Sequence, residues 1–506
     1  MNFHMQIRRA ELVGYVVAGL FFSALMVPLG HLHPDEDWYL YAGHLVFSGE
    51  MPYRDFMFPQ GPVFPYVFGA LGTLFSGFYG ARTISLLMFL CTVWLTAQFT
   101  YQRTKQPLAA WLVAASILTN LYAGYFFTII RNLSIATFFF MLGLYWKERF
   151  RSSRHASFIF AGCCAAAAAC RLTFLPVFIV VLIYLLFIDK KFWAAAFGLS
   201  IFAVILAPFV LVDPDAAWFN MFGFHIEYRH YLSITNHLNP IWLNIKSLHQ
   251  LAQRYFLIFY LIVLLVIYRC FSQREARQGI HRDIHFNEDK TTDRFLYAIL
   301  VFTLFVSHLI TPQLLTDHFV VLLPLCTAFL AEKLALKENN NQRSRLQNIA
   351  LNLFRLAILF QFLIGATYWW IYDLTSPSAV ISLGEELRSH PGETILTERS
   401  LIALYSGKKM ISGLEARKFG YMPNAAQEEC AKYHRMNRTM LYELIAKRIP
   451  DLIVCDRTGI ASYHKQSENE SKLFFDALQA NYHLLKKALV DSHRSQYLYV
   501  FEKKPF

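Results

Sequence analysis

Five carboxylates crowd one short stretch of this chain, "HPDEDWYLYAGHLVFSGEMPYRDFMFPQGP" (33–62): Asp35, Glu36, Asp37, Glu50 and Asp55. They follow directly on an apolar run, about Leu12 to Gly30, that is long enough to cross a bilayer. A carboxylate held at a membrane surface can take a proton from a hydroxyl, bind a cation, or complement the positive end of a helix. Pro34 suits the first turn of a helix, which would set Asp35, Glu36 and Asp37 beside that positive end. Trp38, Tyr41 and Leu45 recur at helical spacing, joined by Tyr39, Ala42 and Val46, and Gly49 ends the run. The stretch reads as a helix resting on the membrane surface with its acidic start projecting into a cavity. Taken singly, each carboxylate suits the plain role of dipole partner as well as a chemical one.

Cations able to face such a cluster are few. They are Arg54, Arg82, Arg131, Arg171 and the stretch "HIEYRHYL", which holds His225, Arg229 and His230. Arg82, Arg131 and Arg171 also fit the blander part of arginines snorkelling at a membrane interface. Asp317 and His318 open a later apolar run, either as a polar helix cap or as groups orienting a ligand. Glu227, Asp213 and Asp215 lack the paired spacing of a metal site, so no cofactor is expected and a divalent cation has no supporting ligand set. Of the eight cysteines, only Cys430 and Cys455 lie in the polar C-terminal part, where they could pair in an oxidising compartment.

The elements that must carry these residues are mostly membrane helices. The chain has 506 residues, 56% hydrophobic and only 16% charged, with a mean hydropathy of +0.34. Soluble domains carry about 25% charged residues. Candidate spans lie near 12–30, 81–101, 108–125, 132–146, 156–171, 173–188, 192–212, 254–270, 295–312, 318–335 and 347–371, so about eleven (10–13) are expected. The segment 63–78, interrupted by Pro65, Gly69 and Gly72, reads as a helix at the interface. The net charge of +12 sits in short clusters between apolar runs, as in cytoplasmic loops, rather than in the continuous patch that nucleic acid needs. With Arg8 and Arg9 inside, the basic loops alternate, placing 31–80, the 213–250 loop and everything after about 372 outside.

Two parts are therefore expected: 1–375, membrane-embedded, with 31–80 as first outer loop, and 376–506, a soluble α/β domain on the non-cytoplasmic side. In the latter "SAVISLGEELRSH", "LIALYSG" and "KLFFDALQANYHLLKKAL" read as helices, and "GETILTE", "DLIVCD" and "QYLYVFEKK" as strands. No glycine-rich phosphate loop accompanies them.

The stretch "PDEDWYLYAGHLVFSGEMPYRDFMFPQGP" resembles the first outer loop of GT-C-type membrane glycosyltransferases, especially the bacterial protein-mannosyltransferase and lipid A aminoarabinose-transferase group (glycosyltransferase family 39). Asp35, Glu36, Tyr39, Gly49, Pro59, Pro62 and Arg82 occupy the places of that group's Asp-Glu pair, following Tyr, turn Gly, Pro-rich segment and Arg opening the second span. The specific part of the resemblance covers 31–85, while "TDHFVVLLPLCTAFLA" and "LIALYSGKKM" match more weakly. It implies a polytopic GT-C fold in a bacterial inner membrane, with the N-terminus cytoplasmic and the C-terminal domain periplasmic. It implies an inverting transfer of a sugar from a polyprenyl phosphate to a hydroxyl on a lipid, a lipid-linked glycan or a protein. Asp35 would be the base, with Glu36 beside it or orienting the hydroxyl. Asp37, Tyr39, Asp55, Gln60, Arg82, Arg131, Arg171, His225, Arg229, Asp317 and His318 would contact substrates. The chain departs from the group by having Gln60 where some relatives place a phosphate-binding Lys, and "FFTIIRNLS" lacks a second acid. A transporter is disfavoured because no matched pair of interrupted helices appears. A glycan ligase or polymerase would place arginines, not acids, in a later loop, and a scaffold has no use for the acidic cluster.

Overall fold

The computed structural model describes residues 3–72, 77–236, 288–309, 316–335, 352, 356, 358–363, 365, 377–460, 468–491 and 496–505. Three of its helices are long and apolar enough to cross a membrane: α1 (Phe3–Leu29), counted from Ala10, α4 (Gly77–Thr104) and α10 (Phe192–Val212). The predicted span 108–125 is instead two helices, α5 (Pro107–Leu118) and α6 (Leu121–Thr128), bent by 73°. Asn120 causes the break: its backbone leaves the helix and its side chain accepts the Ala123 N–H at 3.0 Å, starting a new helix. Counting that pair as one span gives up to four among the described residues.

The other predicted runs are also helical but shorter or more charged: α7 (Asn132–Arg149), α8 (Arg154–Cys170), α9 (Leu175–Ile183), Glu288–Leu309 and Leu323–Ala335. The run near 254–270, and most of that near 347–371, lie outside the described residues. On α10, Leu211 is 82% exposed, Trp193 74% and Val204 69%. A helix apolar all round and so uncovered is stable only with lipid against it. The chain is an integral membrane protein.

Between α1 and α4 lie α2 (Pro34–Phe47) and α3 (Val63–Gly72). The 10 residues of α3 reach only about 15 Å, half a hydrocarbon core. A Cβ on Gly69 would meet the Gly43 carbonyl at 2.8 Å and the Phe47 ring at 2.3 Å, so these two glycines let α2 and α3 pack backbone to backbone.

At the far end of the bundle, four of the loops predicted to be basic converge. Arg103 ion-pairs with Glu332 at 2.7 Å and Glu148 at 3.3 Å, while Arg151 and the Tyr297 hydroxyl also donate to Glu148. Lys147 and Lys191 share Asp189.

The C-terminal sheet comprises β1 (Thr394–Thr397), β2 (Lys409–Met410), β3 (Leu452–Cys455), β4 (Tyr482–Asp491) and β5 (Gln496–Lys503), in the order β2-β1-β3-β5-β4. The first three are parallel, β5 is antiparallel to β3, and β4 to β5. The helix predicted over "KLFFDALQANYHLLKKAL" ends at Asn481, and Tyr482–Asp491 is a strand. Register shifts at Leu484/Lys486 and Leu489/Asp491 scramble its two-residue alternation, which hid the strand from sequence. Cys430 and Cys455 are both buried free thiols, so they do not pair.

Candidate active site

His33 caps α2: its Nδ1 accepts the Asp35 N–H, and the Glu36 side chain accepts the His33 N–H at 3.0 Å, closing a capping box around Pro34. This cap fixes the directions in which the three acids leave the helix, and they reach three different environments.

Asp35 lies where solvent still reaches the site, its mouth. Its Oδ2 lies 3.0 Å from Arg131 Nη2 and 3.8 Å from His33 Nδ1, with the carboxylate 18% exposed. Arg131 caps α7 and sits nearly buried.

Glu36 points inward and is fully buried with Arg82. Arg82 Nε donates to Glu36 Oε1 at 2.8 Å and Nη2 to Oε2 at 2.6 Å, and the Ile130 N–H adds a further bond at 3.1 Å. The remaining Arg82 N–H groups donate to the carbonyls of Met26, Val27, Gly30 and His31, closing the C-terminus of α1. Arg82, expected among the substrate-binding residues, has protein acceptors at all three of its nitrogens and no exposed surface.

Asp37 faces the C-terminal domain. It is fully buried, 3.5 Å from Arg417 and 3.7 Å from Arg399, and Arg417 also donates to the Pro34 carbonyl. Burial pushes the Asp37 carboxyl above its usual range, with Arg417 and Arg399 opposing.

One turn into α2, Tyr39 is buried against Trp38 and Phe64. Burial raises its hydroxyl's pKa while Arg131 and Arg171 pull it back, so both guanidiniums and Asp35 act on this one group. Arg171 leaves the end of α8 and donates to Asn132 Oδ1 at 2.7 Å, and Asn132 Nδ2 donates to Gln60 Oε1 at 2.9 Å. The Gln60 carbonyl accepts the Tyr53 hydroxyl at 2.6 Å. Gly61 permits this approach, since a Cβ there would fall 2.0 Å from the Ala169 carbonyl oxygen at the end of α8. His225, on α11 (Phe224–Asn236), donates to the Pro59 carbonyl beside Arg171, and burial pushes its imidazole down to about 4.

Asp35, Tyr39, Gln60, Arg131, Arg171 and His225 thus form one connected group. The others stand apart. Asp55 pairs with Arg54 at 2.6 Å and accepts the Met51 N–H, contacts that lower its carboxyl pKa. Arg229 is half-buried further along α11. His318 lies against His308, ring centroids 6.0 Å apart, in the 3-10 turn Thr316–Leu322, and the side chain of Asp317 is outside the described residues. Among the described residues no group of three or more His, Cys, Asp or Glu is placed to hold a metal ion.

Asn132, Arg399 and Arg417 were not singled out from sequence. Asn132 had a faint signal, an amide beside Arg131 at the start of an apolar run; the two arginines had none.

The C-terminal domain is docked on this mouth. Phe419 packs on Trp38, Phe224 and Tyr228; Tyr433 stacks on Phe219 at 3.8 Å; Arg435 bridges Glu227 and Glu429; and the Tyr405 hydroxyl accepts the Phe78 N–H.

No family model and no curated protein matches the sequence. The fold is similar to that of ArnT from Cupriavidus metallidurans in the apo state, with a TM-score of 0.61 and 12% identity, covering 96% of this chain and 97% of that chain. The same protein bound to undecaprenyl phosphate gives 0.59 and 13% over the same shares. An oligosaccharyltransferase from Archaeoglobus fulgidus, tethered with an acceptor peptide containing the NVT sequon via a disulfide bond, gives 0.50 and 12%, covering 96% of this chain and 74% of that chain. ArnT and this oligosaccharyltransferase are GT-C glycosyltransferases, and theirs is the fold of the present chain, which here comprises membrane helices, the short helices α2 and α3 between its first two long spans, and a small C-terminal sheet.

Proposed function

We propose that this protein is an inverting glycosyltransferase of a bacterial inner membrane, passing a sugar from a polyprenyl phosphate to a hydroxyl acceptor on the periplasmic side. The observation that carries the reading is the Asp35–Arg131 pair, 3.0 Å apart at the half-open start of α2, with Arg171 across Tyr39. A transfer of this kind needs one group to take the acceptor's proton and cations to receive the phosphate's growing charge. Both are present side by side.

In the reaction, the donor phosphate engages Arg131 and Arg171, and Arg131 exchanges the Asp35 carboxylate for it. Asp35 then accepts the proton of the acceptor hydroxyl as that oxygen bonds to the anomeric carbon. The bond from that carbon to the phosphate oxygen breaks, its electron pair stays on the lipid phosphate, and the guanidiniums neutralise it. Gln60 and Asn132 hold Arg171 in place of the missing lysine. Glu36 and Arg82 act as positioning residues, holding the start of α2 against α1. The C-terminal domain, docked over the mouth, selects the acceptor, whether lipid, lipid-linked glycan or protein.

The test is incubation of the purified protein with a panel of polyprenyl-phosphate sugars and an acceptor extract, detecting free polyprenyl phosphate. Asp35→Asn should abolish its release; retained turnover overturns the assignment. Release of polyprenyl diphosphate from a polyprenyl-diphosphate-linked glycan in a parallel incubation, with no turnover of the monophosphate sugars, would instead identify a glycan ligase.

A further inference from the structure

The C-terminal sheet has a topological switch. From β1 the chain passes through the helix Ser400–Ser406 to β2 on one side, then returns to β3 on the other side of β1. Because β1, β2 and β3 are parallel, their connections diverge at the carboxyl edge between β1 and β3, where open α/β sheets form a ligand crevice. A shallow crevice is present there, about 380 Å³ counting the open solvent at its mouth. Its polar lining comes from Glu398 and Arg399 after β1, Asp456 after β3, Gln496 at the start of β5, and Arg417, with Leu498 as an apolar wall.

From this we propose that the crevice is a binding subsite for an uncharged saccharide ring. The two carboxylates can accept from sugar hydroxyls, while the two guanidiniums and the amide can donate to them. A phosphate would meet Glu398 and Asp456, and a cation would meet Arg399 and Arg417, so neither sign of charge is favoured. Asp456 is held ready: its Oδ1 accepts the Thr458 N–H at 2.8 Å and the Thr458 hydroxyl at 2.6 Å, fixing the plane of the carboxylate. Arg399 and Arg417 also reach Asp37, so a ring bound here shares its ligands with the helix that carries Asp35. Only in naming that ring as part of the acceptor does this rest on the glycosyltransferase reading.

The experiment uses the full-length protein in detergent and saturation-transfer NMR. Its probes are free hexoses, N-acetylhexosamines and their disaccharides, none bearing a lipid, with inorganic phosphate as competitor. At least one saccharide should bind in roughly the millimolar range. Phosphate and Asp35→Asn should leave that binding unchanged, and Asp456→Ala and Gln496→Ala should each weaken it about tenfold, the loss of one charged or neutral hydrogen bond. Gln496→Ala, at a half-buried strand start, guards against misfolding of the Asp456 variant. Absence of binding across the panel, displacement by phosphate, or binding indifferent to both substitutions overturns the proposal. Binding without sugar transfer would sink the enzymatic reading alone, and transfer without binding would sink this one alone.

Discussion

Glu36→Gln is expected to loosen the end of the bundle that carries α2, whereas Asp35→Asn, one residue away, is expected to stop sugar transfer in an intact protein. The Glu36 carboxylate accepts from Arg82 Nε at 2.8 Å, Arg82 Nη2 at 2.6 Å, Ile130 N at 3.1 Å and His33 N at 3.0 Å, with no solvent on either side chain of the pair. Glutamine keeps the shape but turns an amide N–H₂ toward donors and leaves the guanidinium buried without a counter-charge. Breaking a buried pair in this way costs about 3–5 kcal/mol, a large part of the roughly 5–15 kcal/mol that stabilises a typical domain. Arg82→Met should cost more, because it also removes the Arg82 donor from the Val27 and Gly30 carbonyls, while Met26 keeps the Gly30 N–H and His31 the Tyr125 hydroxyl. Asp35→Asn weakens the pair with the nearly buried Arg131, but solvent reaches the Asp35 carboxylate, so its cost to stability should be smaller than that of Glu36→Gln. The transfer rate of Asp35→Asn should fall about 10²- to 10⁴-fold. Thermal unfolding in detergent, read beside release of free polyprenyl phosphate, separates the two residues. A Glu36→Gln protein that melts with the wild type and is merely slow would refute the division of roles, as would an Asp35→Asn protein that fails to fold.

Three further outcomes are expected. Gly61→Ala should drive the loop off Ala169, detaching Gln60 from Asn132, and lower kcat about 100-fold with little change in melting temperature; unaltered kinetics would show that the loop tolerates the shift. Replacing Arg399 and Arg417 together by Ala should strand the buried Asp37 charge and raise hydrogen exchange over 34–47, and adding Asp37→Asn should restore protection. Burial holds the Glu415 carboxyl up at about 7, from an ordinary 4.5, so the folded state binds the extra proton. Stability is therefore full below about 4.5 and is lost as pH rises through about 7, by on the order of 3 kcal/mol. Across that window the melting temperature of the native chain should fall relative to that of Glu415→Gln, the opposite slope from the buried His225 being common to both.

Much of the membrane part could be read from residue order because its signals are local. Pro34, three acids and an aromatic face at helical spacing announce α2, and apolar runs announce the helices around it. What escaped was decided over distance. Glu36 reads as a dipole partner until Arg82, 46 residues on, is seen to close on it. The split of the span 108–125 rests on a single Asn120 side chain turning to cap a new helix, which hydropathy cannot register. In β4 the bulges erased the alternation that identifies a strand. The site itself was half legible: the acids and arginines have telling types, but nothing in the order of residues says which arginine meets which acid.

Arg417, which meets Asp37 and the Pro34 carbonyl, follows Pro34 by 383 residues. As the chain emerges from the ribosome, α2 is therefore inserted long before its third acid can be neutralised. Completion of the site around α2 therefore comes last in synthesis, and a product cut short before Arg399 would keep the Asp35–Arg131 pair beside an Asp37 that has lost both of its counter-ions.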